Sequence, residues 1–146
     1  MRIVLLATAG AAALLAAGCG GDDRLSREEL ASRADAICTK YEGELDQLAE
    51  PQSLADVERL AKEAKPVIED GVDELDSLRP PEDLEDEWDR WISGQRESIE
   101  ALDDLREAAA ARDDDRIQQV VQEQQGKEQE ADDLARELGL DECATG

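Results

Sequence analysis

Leu54, Val57, Ala61, Ala64, Ile68, Gly71, Leu75 and Leu78 follow one another at alternating intervals of three and four residues. That spacing keeps one face of an α-helix apolar over about four heptads and predicts a long helix opening at Ser53, with Asp56 three positions on. Pro66 lies inside it, lacking an amide and crowding the preceding turn, so we expect one helix bent at that point. Ahead of this segment, "SREEL" sets Ser26 three residues before Glu29, the spacing of a capping box. Leu30, Ala34, Ile37, Tyr41, Leu45 and Leu48 then line one face as far as Pro51. A third segment opens at "RPPEDLEDEW", residues 79–88, where prolines mark the boundary and acids meet the positive end of the helix dipole. Its stripe is Leu84, Trp88, Trp91 or Ile92, Ile99, Leu102 and Leu105. After "AAAARDDDR", residues 108–116, the chain turns. Ile117, Val120, Val121, Ala131, Leu134 and Leu138 form a fourth stripe, and Gly139 is placed to stop it.

Short connections between long helices make sequential neighbours antiparallel. The expected fold is therefore all-α, an up-down-up-down four-helix bundle over residues 26–146. In that arrangement Gly71 falls nearly level with Trp88, and its missing side chain makes room for the indole. A helical hairpin that completes its core by dimerising is the alternative.

The first eighteen residues differ in kind from the rest. Arg2 precedes the apolar run "IVLLATAGAAALLAA" from Ile3 to Ala17, which has the size and order of a secretory signal. As a helix it would cover roughly 23 Å, short of the roughly 30 Å of a bilayer core, so cleavage is expected over permanent spanning. Ala16, Ala17 and Gly18 before Cys19 resemble a bacterial lipobox, in which the cysteine is acylated and becomes the new first residue. An ordinary signal peptidase also accepts small residues here and would leave Cys19 a free thiol. Parity favours acylation: of Cys19, Cys38 and Cys143, lipidation removes one and leaves two for a disulfide. Residues 1–18 are thus read as a lipoprotein signal peptide and residues 19–25 as a short polar tether, the anchor being several acyl chains on one residue.

The chain carries 39 acidic and 16 basic side chains for a net charge of −23, which places it near disordered compositions, with Tyr41, Trp88 and Trp91 as its only aromatics. The sustained helical period argues for folding instead. Charge of this sign excludes nucleic-acid binding, which rests on cations displacing counterions. It also holds the body off an anionic membrane surface, leaving lipid as the membrane contact.

Helix lengths test a Cys38–Cys143 bond. With equal helices, the end of the fourth would lie roughly 20 Å above Cys38, too far for residues 139–142. The third segment is longer than the second, which lowers the fourth and leaves a gap of about 12–14 Å that an extended tail can span. Two separate thiols are the alternative.

No histidine is present, which removes the usual general base, the His-assisted nucleophiles and helical His metal sites. "DDDR" at 113–116 lacks the alternating ligands and turn glycine of a calcium loop and is read as a helix start. No phosphate-cradling glycine loop appears. The expectation is a protein without catalytic residues, metal or cofactor. One irregularity stands out: between Val121 and Ala131 the fourth stripe offers only Gln124, Lys127 and Glu128, while the third helix turns Gln95 inward. A ligand cleft capped by Trp88 and Trp91 and lined by Gln95 and Gln124 is the functional reading; a loose, solvent-facing stretch is the plain one.

"ADAIC" at 34–38, "RPPEDL" at 79–84, "AARDDDR" at 110–116 and "LGLDEC" at 138–143 resemble landmarks of small helical secreted or lipid-anchored proteins of actinobacteria. The resemblance implies a helical body and the Cys38–Cys143 pairing, and no activity. The turn between the third and fourth helices in such proteins often contains Gly-Asp, where this chain is Asp-rich. The sequence thus leads to a lipid-anchored protein on the outer face of the cell membrane, a binding module with another envelope protein as its partner. The alternative is a lipoprotein that binds or senses a small molecule or peptide through the cleft.

Overall fold

The computed structural model describes residues 23–144, and all regular structure among them is helical, with four helices packed against each other. Residues 1–22 lie outside the described part, and with them the signal segment, Cys19 and most of the tether. The helices are α1 (Arg27–Leu45), α2 (Leu54–Asp76), α3 (Glu85–Ala111) and α4 (Asp114–Leu138), with 3₁₀ turns at Glu82–Leu84 and Glu142–Ala144. No helix among the described residues is long and apolar enough to cross a membrane.

Local chemistry sets most boundaries. Ser26 accepts the Glu29 N–H while the Glu29 carboxylate accepts the Ser26 N–H, closing the capping box. Ser53 caps α2 through the Asp56 N–H. Asp113 caps α4 through the Arg116 N–H at 3.0 Å, so "DDDR" is a helix start. Gly139 ends α4 at φ 79°, its N–H and that of Leu140 donating back to Arg136 and Ala135. The same paired bonds close α3, where Arg112 and Asp113 donate to Ala109 and Ala108. There the left-handed position, φ 56°, is held by Arg112 rather than a glycine.

One helix departs from expectation in extent: the first stops at Leu45, not near Pro51, and Gln47 and Leu48 loosen into three-residue turns. The second is one helix through Pro66, as expected. Pro66 and Lys62, whose carbonyl loses its helical donor, are both exposed, so water can take that bond.

Across α2 and α3, Lys65 meets Asp103 and Asp76 meets Arg96; across α3 and α4, Glu97 meets Lys127 and Asp104 meets Arg116. In each pair of helices the numbers rise along one as they fall along the other. The core gathers at one end, where Leu30, Ala34 and Ile37 of α1 join Val72, Leu75, Trp88, Trp91, Ile92 and the end of α4. Toward the other end the buried residues are small: Ala61, Ala64, Ala108, Ala109 and Val120.

Gly71 does not make room for Trp88. A Cβ there would lie 3.0 Å from the Tyr41 ring, so the space serves α1. The reason is rotational: the stripe of α2 meets α1 along the edge that carries Gly71.

Cys38 and Cys143 are bonded, with Cα atoms 5.3 Å apart. The tail that brings them together is not extended. Leu140 is fully buried, and Glu142–Ala144 forms a 3₁₀ turn against α1, tied by the Glu142 N–H to Asp35 and by Arg136 to the Ala144 carbonyl.

Candidate functional site

Among the described residues a largely apolar crevice of about 240 Å³ lies between α1 and α2, bordered by α3 and by the Cys38–Cys143 bridge. α1 contributes Ile37, Tyr41 and Leu45, and α2 contributes Ile68, Val72 and Leu75, because each stripe follows the helical period. Gln95 of α3 also lines it, and Glu42 and Glu142 add carboxylates. A crevice of this make-up suits a small apolar group oriented by one amide.

A polar clamp stands beside it. The Tyr41 hydroxyl donates to Glu74 at 2.9 Å, while Lys40 donates to Glu74 at 2.8 Å and sits 4.4 Å from the Tyr41 ring centre. Lys40 is held above its ordinary pKa by the Glu74 hydrogen bond, and Glu74 below its own by Lys40. For Tyr41 the Lys40 bond pulls downward, but burial and donation to Glu74 outweigh it and the phenol is raised. The clamp ties α1 to α2 and holds the Tyr41 ring against Gly71.

The four residues anticipated as one cleft are divided among separate openings. Trp88 and Trp91 are buried in the core with ring centres 5.3 Å apart. Trp88 touches a polar hollow beside Arg24 and Arg79; Trp91 touches one between α3 and α4 beside Lys127 and Glu130. Gln95 belongs to the crevice under α1, and Gln124 to a groove further along α3 and α4. Gln95 and Gln124 sit at different heights, so facing helices do not bring them together. Neither indole N–H has a hydrogen-bond partner among the described residues.

In sequence Tyr41 belongs to the apolar face of α1, and one sign of its further role is a glycine within the α2 stripe at the height an antiparallel α1 would reach. No group of three or more potential metal ligands occurs among the described residues. Asp113 is engaged as a cap and Arg116 pairs with Asp104.

These features define a small helical protein, all-helical among the described residues, whose last described turn is stapled to its first helix. No protein-family model matches the chain, and neither a curated protein nor a solved structure matches it.

Proposed function

We propose that this protein is a lipid-anchored helical module on the outer face of the cell membrane that binds a partner at the envelope, folded as an up-down-up-down bundle. The opposed numbering of the ion pairs across α2, α3 and α4 supports that topology. The observation that carries the reading is the Cys38–Cys143 bond. Disulfides persist in oxidising compartments, and pairing these two leaves Cys19, at the end of the apolar leader, as the odd cysteine. The resemblance to actinobacterial secreted and lipid-anchored helical proteins points the same way. The module acts by binding, not catalysis, in keeping with a chain that lacks histidine.

The test is metabolic labelling with a fatty-acid probe and cell fractionation. Label and membrane recovery are expected for the wild type and lost in Cys19→Ala. An unlabelled wild-type protein in the cytosol, with its cysteines reduced, removes the proposal.

The crevice favours a second reading, a small-molecule or peptide-binding lipoprotein, with the site under α1 in place of the α3–α4 cleft. A panel of short-chain apolar ligands is expected to raise the melting temperature of the wild type and not that of Ile68→Glu. No response in the wild type excludes it.

A further inference from the structure

We infer that the groove between the C-terminal half of α3 and the N-terminal half of α4 docks a basic amphipathic helix of another protein; this rests on the binding reading above and specifies the partner. The groove lies past the end of α1. Leu45, its last residue, shares a crevice with Ile68, and one turn further along α2, Lys65 already meets Asp103 of α3. Beyond that height α1 has ended.

The surface there is apolar at its base and carries one carboxylate, Glu128, at its edge. Leu102 and Leu105 of α3 are half-buried, Val120 of α4 is buried, and beside it Val121 is 42 % exposed. Val121 is the large hydrophobic side chain left in water among the described residues. Gln124 and Glu128 continue the lining, which includes no lysine or arginine, around about 380 Å³ of space. From Val120 to Glu128 the wall is about 12 Å long, the rise of two to three helical turns. An occupant of that length presents apolar residues at i, i+3, i+4 and i+7, the pattern of helix-in-groove recognition.

Charge selects the occupant. The chain carries −23, and the lining adds Glu128 uncompensated by a cation within the groove. A second copy would bring the same charge against itself, whereas a helix with lysine or arginine flanking its apolar strip gains from the field on approach and at the rim.

The experiment titrates the purified protein into two fluorescent fourteen-residue peptides of equal composition, leucine and lysine only. One has leucines at i, i+3, i+4 and i+7; the other is scrambled. The patterned peptide is expected to bind at least tenfold more tightly than the scrambled one. Val121→Asp is expected to weaken it at least tenfold, although the added carboxylate would strengthen a purely electrostatic association. Glu128→Lys, at an exposed position, is expected to weaken it about threefold and keeps the test open should Val121→Asp perturb folding. Equal binding of both peptides, or tighter binding by Val121→Asp, overturns the inference. So does a concentration-dependent dimer that Val121→Asp dissolves, since the occupant is then a second copy. Cys19 labelling reads anchoring alone, so either proposal can fail without the other.

Discussion

The Cβ that Gly71 lacks would stand 3.0 Å from both Cγ and Cδ2 of Tyr41, whose hydroxyl is held by Glu74. These ring atoms are at the root of the side chain, so the ring cannot swing away without losing the clamp. In Gly71→Ala two effects oppose each other: alanine gains about 0.8–1 kcal/mol of helix propensity, and overpacking costs roughly 1–3 kcal/mol. The expected net is a loss of about 1 kcal/mol in urea denaturation. In a Tyr41→Ala background the clash is gone and the same substitution is expected to stabilise. An unchanged sign in the two backgrounds would show that the close approach does not govern this position.

The Cys38–Cys143 bond spans a sequence separation of 105 and fixes the C-terminal turn to α1. Chain-entropy reasoning assigns a loop of this size roughly 4–5 kcal/mol, often less in practice. Reductant is expected to lower the denaturation midpoint of the wild type and leave a Cys38→Ala/Cys143→Ala variant unmoved at the lower value. A wild type insensitive to reductant would deny the bond its part in stability.

Arg112 takes a left-handed conformation, φ 56°, at the end of α3. A side chain costs about 1–2 kcal/mol there, and glycine returns part of this in unfolded-state entropy. Arg112→Gly is expected to stabilise by about 0.5–1 kcal/mol. Gly139→Ala, at φ 79°, is expected to destabilise by about 1 kcal/mol. Thermal melts of the two variants should therefore move in opposite directions.

Glu29 is held below its ordinary pKa of 4.5, first by the Ser26 backbone N–H and then by the Ser26 hydroxyl. A carboxylate whose folded pKa is depressed stabilises fully above its unfolded value and loses that contribution as pH falls through the folded one. Glu29→Gln is therefore expected to be less stable than wild type at pH 7, with the difference shrinking below about pH 4.5. Comparing the two proteins at each pH cancels the relief of repulsion among the other carboxylates, which share the net charge of −23. A difference constant from pH 7 to pH 3 would mean that Glu29 does not act through its charge.

Much of the secondary structure was legible in short stretches. Ser26, Ser53, Asp113 and Gly139 cap helices as their neighbours predict, because a cap needs only a side chain or a φ angle within a few residues. The early stop of α1 was not legible. Leu48 continues the apolar spacing, yet it lies in a turn, since spacing alone does not supply a surface for a helix to pack on.

The candidate site was legible only in its parts. Trp88, Trp91, Gln95 and Gln124 sit on the helices expected of them but touch four separate openings, because sharing a cleft depends on height and rotation between helices. Sequence by itself determined the four helices, their apolar faces, most of their caps and the pool of cysteines, all properties of residues within a turn or two of one another. Tertiary structure alone decided that Gly71 receives Tyr41, that the bridge borders an apolar crevice, and that α1 ends at Leu45 while Val121 stays exposed. Those follow from how far each helix extends and how it is turned against its neighbours, which side-chain packing sets across the whole chain.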